Sequence, residues 1–254
     1  MDVQRYGPWA LVVGGSEGMG RVMAQMLAKD GFNLVLVARK PEPLAEVARE
    51  LEARGAEVRT VAADMSKSDA LERVRAATDD IEVGLLIYNA GANNTRGAFV
   101  ELEPAVYRSV INITVIGQSE FAHHYGALMR ARGRGGIVLT GSTASFLGSP
   151  TLAAYCGSKA FSRIFSESLW AECREFGVDV LHVTLGLTAT PAMERLGYDL
   201  SAAERPEDVA RATLENISNG PLLFTGNTLE MVTNAARLTD RAEVIETFAS
   251  RGRR

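Results

Sequence analysis

Tyr155 and Lys159 stand four residues apart in a stretch of helical periodicity, so both side chains fall on one face of a single helix. A free phenol titrates near pH ~10 and is a poor acid at neutral pH. A lysine ammonium beside it favours the phenolate, and the pair becomes an acid/base for a carbonyl or an alcohol. Ser142 and Asn112 lie upstream, and Gly14-Gly15-Ser16-Glu17-Gly18-Met19-Gly20 forms a glycine-rich loop near the start. Such a loop can cradle a dinucleotide. Both halves of one reaction are then present, a hydride carrier and a proton exchanger, and the expected chemistry is nicotinamide-dependent oxidoreduction.

These groups need elements to hold them. Short apolar, β-branched runs alternate with longer amphipathic stretches. Strands are expected at Trp9–Val13, Asn33–Ala38, Glu57–Ala62, Val83–Tyr88, Gly136–Thr140, Val178–Thr184 and Leu222–Thr225. Helices are expected from Gly18 to Asp30, Pro41 to Arg54, Lys67 to Thr78, Glu103 to Ala131, just before Tyr155 to Phe176, and from Pro206. Met19, Val22, Met26 and Leu27 give the first helix one buried stripe. Two short helices are expected after Asn227, in a helical segment over residues 226–254. The alternation implies an α/β fold, a doubly wound parallel sheet (Rossmann fold) of about seven strands with helices on both faces. No linker or repeat divides residues 1–254, and a single domain is expected.

Composition excludes several classes. Of 254 residues, 46% are hydrophobic and 23% charged, ordinary for a globular protein, and the net charge of −4 carries no nucleic-acid footprint. The basic residues at 251–254 read as a solvated end. Cys156 and Cys173 are too few for a disulfide framework, and His123, His124 and His182 lack ligand spacing, so no metal is expected. No apolar run reaches the ~18 residues of a membrane span. The first strand starts near Trp9, which leaves no room for a signal peptide. A cytoplasmic protein is the expectation.

The glycine loop joins strand to helix, the context a dinucleotide site requires. Gly14 permits the turn, Gly18 admits the pyrophosphate and Gly20 allows close helix packing, while the helix amino end offers free N–H groups. A plain flexible turn is the rival reading. An NAD site usually carries an acid after the second strand, but here Ala38 is followed by Arg39 and Lys40. A 2′-phosphate suits the Arg39 guanidinium, so NADP(H) is favoured over NAD, with Ser16 as a further phosphate contact. A pair of solvated charges is the alternative. Asp64 is a candidate for the adenine amino group or a turn aspartate.

The ordered set of glycine loop, Asn89-Ala90-Gly91, Asn112, Gly141-Ser142 and Tyr155-x-x-x-Lys159 resembles the short-chain dehydrogenase/reductase family over roughly residues 8–210. The resemblance implies that Tyr155 exchanges the proton, Ser142 orients the substrate oxygen, Lys159 holds the nicotinamide ribose and lowers the Tyr155 pKa, and Asn112 fixes a water beside Lys159. It further implies cofactor contacts for Glu17, Met19, Met65, Asn89, Ala90, Gly91, Gly186, Thr188 and Thr190. The chain departs from the family at Val13 (usually Thr), at Gly141 (usually Ser), at Glu17, at Leu185-Gly186 (usually Pro-Gly), and at Thr225-Gly226-Asn227 (usually Asp-Gly-Gly). Tyr6-Gly7-Pro8-Trp9, His123-His124-Tyr125, Thr184-Leu185-Gly186 and Thr188 to Pro191 are similar to bacterial NADP-dependent hydroxysteroid dehydrogenases of the 7β type.

Ligands of doubly wound sheets lie beyond the carboxyl ends of the strands. Residues 93–96, 143–149 and 191–200 should therefore surround a small-molecule alcohol or ketone, with Phe146, Leu147, Met193, Leu196, Tyr198 and Leu200 as apolar lining or as packing for loops or a subunit contact. Residues 191–205 read as a mobile lid. The runner-up activity is reduction of a 3-oxoacyl thioester, for which Arg130, Arg132 and Arg134 offer positive charge. A non-catalytic NADP-binding sensor is the third reading. The family resemblance implies a homodimer or homotetramer.

Overall fold

Continuous apolar runs dictate the sheet. The computed structural model describes residues 1–91, 96–237, 242 and 245. Strands β1 (Trp9–Val13), β2 (Asn33–Ala38), β3 (Val58–Ala62), β4 (Val83–Tyr88), β5 (Gly135–Thr140), β6 (Val178–Thr184) and β7 (Leu222–Phe224) form one parallel sheet. Its order is β3-β2-β1-β4-β5-β6-β7, so the winding reverses between β1 and β4. Every residue of β1, β4 and β5 is buried, as expected of strands covered on both faces.

The helices are α1 (Val3–Tyr6), α2 (Gly18–Lys29), α3 (Pro41–Glu52), α4 (Ala70–Arg75), α5 (Pro104–Ile111), α6 (Gln118–Arg132), α7 (Ala153–Cys173), α8 (Pro191–Arg195), α9 (Pro206–Glu215) and α10 (Thr228–Arg237). Ala10 and Val12 of β1 pack with α2, α3 and α9, while Trp9, Leu11 and Val13 pack with α4, α6 and the end of α7. The buried stripe of α2 is Met19, Met23 and Leu27, at i, i+4 and i+8. Val22 and Met26 lie at its margin, half-buried, because the stripe is centred one residue further on than expected.

Three expectations change. The segment before β1 carries the short helix α1, capped by the Asp2 carboxylate on the Gln4 and Arg5 N–H groups. The segment from Pro191 is helical in its first five residues, with the Thr190 hydroxyl capping α8. The long helix expected over 103–131 is interrupted by a π-helical stretch at Asn112–Gly117. Its cause is a side chain: the Tyr88 hydroxyl donates to the Ile113 carbonyl at 2.7 Å, and a Cβ on Gly117 would stand 2.3 Å from that oxygen. A hydroxyl wedged into the ladder widens the turn. Of the two helices expected after Asn227, α10 is one; residues 238–241, 243, 244 and 246–254, the tail at 251–254 among them, lie outside the described residues, as do residues 93–95.

Candidate active site

A cleft of about 1180 Å3 collects the loops that follow β1, β2, β3, β4, β5 and β6. Gly14, Ser16, Glu17, Gly18 and Met19 line it. Gly14 adopts φ +87°, open to glycine at little cost. Gly20 sits behind the loop, where a Cβ would come within 2.0 Å of the Gly14 carbonyl oxygen. The Asn89 amide donates to that carbonyl at 3.3 Å and pins the loop from the β4 side. Glu17 occupies the N-cap position of α2 without capping it, so the helix's first N–H groups stay open to an anion. This cradle fits the pyrophosphate of a dinucleotide.

Arg39 and Lys40 follow β2, line the cleft and are exposed, and among the described residues neither is ion-paired. Asp64 and Met65 follow β3. Burial raises the Asp64 carboxyl, but hydrogen bonds from Ser66 and the charges of Arg39 and Lys67 outweigh it and hold the group below the usual range. One Asp64 oxygen accepts from the Ser66 N–H at 2.9 Å, a turn contact. Ala90, Gly91, Gly186, Thr188 and Thr190 line the middle of the cleft.

Ser142, Tyr155 and Lys159 converge there. Ser142 lies two residues beyond β5, where its hydroxyl accepts from the Ala144 N–H at 3.2 Å and also hydrogen-bonds Tyr155. Lys159 is 3% exposed; its ammonium donates to the Thr140 carbonyl at 2.9 Å and lies 5.8 Å from the centre of the Tyr155 ring. A Cβ on Gly91 would stand 3.5 Å from that ammonium. Burial lowers the Lys159 pKa from 10.5 to about 8. Burial also raises Tyr155 above 10, and the Ser142 hydrogen bond opposes this without overcoming it.

Burial opposes the acidification expected of the Tyr155 phenol. Both groups are desolvated, which favours the neutral form of each. One of the three Lys159 ammonium donors goes to the Thr140 carbonyl.

Asn112 is the second departure. Its side chain is exposed, donates to the Ser66 carbonyl at 3.0 Å and does not line the cleft; the neighbouring Ile113 does. The π-turn that begins at Asn112 turns the amide toward the loop after β3.

Of the expected apolar lining, Leu147, Met193 and Tyr198 face the cleft, and Phe146, Leu196 and Leu200 do not. Phe146 instead meets the Phe224 ring at 5.7 Å and the Arg163 guanidinium at 4.4 Å. The sequence reading missed Glu204, Asn227 and Met231, which bring the start of α9 and the α10 region into the cleft wall. The Glu204–Thr225 hydrogen bond at 2.9 Å ties those segments together, and no local pattern announces it. Arg132 donates to the Val83 carbonyl at 2.6 Å and Arg134 to Glu82, at the amino end of β4, opposite the cleft. No cluster able to hold a metal occurs among the described residues. No helix among them is long and apolar enough to cross a membrane.

The pattern recurs in known proteins. A family model for the short chain dehydrogenases matches residues 8–201. The chain is 32% identical over 219 residues to a 7beta-hydroxysteroid dehydrogenase of Clostridium sardiniense, covering 84% of each. It is 34% identical over 216 residues to a very-long-chain 3-oxoacyl-CoA reductase of Neurospora crassa, covering 83% of this chain and 65% of that one. A solved 7beta-hydroxysteroid dehydrogenase superposes with a TM-score of 0.90 at 29% identity, over 96% of this chain and 98% of that one. A short-chain dehydrogenase from Sphingobium yanoikuyae in complex with NADPH superposes with a TM-score of 0.81 at 26% identity, over 91% and 94%. With a glycine cradle, a Ser–Tyr–Lys cluster and this sheet order in place, the chain belongs to the short-chain dehydrogenase/reductase family of oxidoreductases, enzymes of hydroxyl and keto groups.

Proposed function

We propose that this chain interconverts a secondary alcohol and a ketone with NADP(H), using Tyr155 as the acid/base and taking a bulky apolar, steroid-like substrate. The observation that carries the reading is the cluster of half-buried Ser142 and Tyr155 with buried Lys159 at one end of a cleft whose other end holds the glycine cradle and Arg39 and Lys40. A nicotinamide held in this cleft would supply or accept the hydride. Ser142 and Tyr155 offer two hydroxyls to one substrate oxygen, and Ser142 orients it. Burial keeps the phenol protonated at neutral pH, which equips it as the acid for ketone reduction. Running the reaction toward the ketone requires the phenolate, stabilised by the Lys159 ammonium and by the positive charge of the oxidised ring.

Arg39 and Lys40, with no acid after β2, support the 2′-phosphate. Leu147, Met193, Tyr198 and Met231 support an apolar substrate, whose burial would contribute ~25 cal/mol per Å2. The fungal 3-oxoacyl-CoA reductase relatives support the thioester as a second substrate class. In this reading residues 1–254 act as one unit with 191–205 as a lid. Exposed Ile116, Leu128, Phe161 and Ile164 on and beside α6 and α7 support a homodimer or homotetramer. The free thiols Cys156 and Cys173 suit a reducing cytoplasm.

Replacing Tyr155 with Phe tests the reading. Turnover of a panel of steroid, cyclic and acyl-thioester ketones should fall at least about a hundredfold, with NADPH affinity unchanged. Retention of more than a tenth of the activity refutes the role.

A further inference from the structure

The phosphate end of the cleft contains a carboxylate that ought to be unwelcome there. Glu17 sits in the glycine loop at the N-cap position of α2, lines the same cleft as Arg39 and Lys40, and makes no capping bond to the helix. A bare negative charge at that point opposes the phosphates which the helix amino end and the two cations attract.

The charge is not bare. Arg195, at the end of α8, donates to both Glu17 oxygens, at 2.9 and 2.5 Å, across 178 residues of sequence. The loop and the α8 entrance touch, since a Cβ on Gly18 would meet the Thr190 side chain at 3.2 Å. The two side chains are 46% and 61% exposed, so the pair adds little to folding stability. Its consequence is electrostatic. Arg39, Lys40 and Arg195 face Glu17 and Asp64 along this wall, three cations against two carboxylates. Without Arg195 the balance is even, and an incoming 2′-phosphate meets an uncompensated Glu17.

We propose that Arg195 is a specificity-determining residue, which secures preference for a 2′-phosphorylated dinucleotide by neutralising Glu17. The Arg195 hydrogen bond is the main cause of the depressed Glu17 pKa, opposed by burial and reinforced by the charges of Arg195, Lys40 and Arg39. The Arg39/Lys40 pair therefore feels the same carboxylate that Arg195 clasps. The inference rests on the NADP(H) reading above and adds that the preference is distributed over a second wall of the cleft.

The test is a direct binding titration of NADPH and of NADH, by fluorescence, on the parent, Arg195→Gln, Glu17→Gln and the double variant. Arg195→Gln should weaken NADPH roughly tenfold, or about 1.4 kcal/mol, and leave NADH within about twofold. Glu17→Gln should leave NADPH as tight or tighter. The double variant should return to within about threefold of the parent, because removing the carboxylate removes the need for its partner. An equal loss of both nucleotides in Arg195→Gln overturns the proposal, as does a double variant no better than Arg195→Gln alone. Parent affinities keep the two readings apart. A parent that binds NADH as tightly as NADPH defeats the NADP(H) assignment, and the change in ratio on removing Arg195 still decides this one.

Discussion

Lys159 should be a group that the fold tolerates for its chemistry at a cost in stability. The drop in its pKa from 10.5 to about 8 is caused by burial and measures how much the folded state disfavours the ammonium. At 1.36 kcal/mol per pH unit, that disfavour is about 3 kcal/mol. Lys159→Met keeps the length of the side chain and removes the charge. It also strands the Thr140 carbonyl, which loses a 2.9 Å donor at a net cost of about 1 kcal/mol. The variant should therefore be about 2 kcal/mol more stable than the parent at pH 7, a rise of about 4–8 °C in melting temperature for a chain of this size.

The pH dependence gives a second check on the same residue. Below pH 8 both folded and unfolded states hold the proton, and the parent bears the whole cost. Between about 8 and 10.5 the unfolded chain binds more protons than the folded one, so the parent gains stability as pH rises and the gap to Lys159→Met narrows. Urea unfolding of both proteins at pH 7 and pH 10, with turnover in parallel, reads all of this. Turnover should be lost at both. A variant less stable than the parent at pH 7, or a gap that does not shrink by pH 10, refutes the reasoning.

Two further substitutions probe the scaffold of the site. Gly141→Ser restores the residue usual in the family but drives a Cβ to 2.0 Å from the His182 ring, which is wholly buried, so it should cost about 1–3 kcal/mol. Adding His182→Val should recover that loss, and a single variant with parental melting temperature would contradict the packing described. Gly117→Ala puts a methyl 2.3 Å from the Tyr88 hydroxyl and should likewise cost about 1–3 kcal/mol. In that background Tyr88→Phe should partly restore stability to thermal unfolding, and a further loss would show that the hydroxyl is not the wedge.

The strands were the most legible part of the chain. β1, β2, β4 and β6 have the bounds read from their largely apolar runs, because strands covered on both faces are nearly continuous in apolar residues. Tyr155, Lys159, Ser142 and the glycine loop were found for a similar reason, since each lies at a fixed offset from such a strand. What stayed hidden depends on partners distant in sequence. The π-turn follows from a tyrosine 25 residues before the carbonyl it bonds. Gly141 accommodates an imidazole from β6, and Glu17 owes its tolerance to an arginine 178 residues away. The direction of the Tyr155 shift needed the depth of burial, which a spacing of four residues does not convey.

The widened turn at Asn112–Gly117 has a bearing on the whole of the helix that contains it. One additional residue in a turn rotates everything beyond it by about 100° relative to an unbroken helix. Phe121, Tyr125 and Met129 now face the sheet, while Glu120, one position earlier, is exposed and Leu128 is 44% exposed. Were the stretch to wind as ordinary α-helix with all its residues kept, that earlier, partly polar row would turn to the core. The rotation lets the two halves of a long helix obey different masters: Ile113 is aimed at the ligand cleft, and the rows after Gly117 are aimed at the interior.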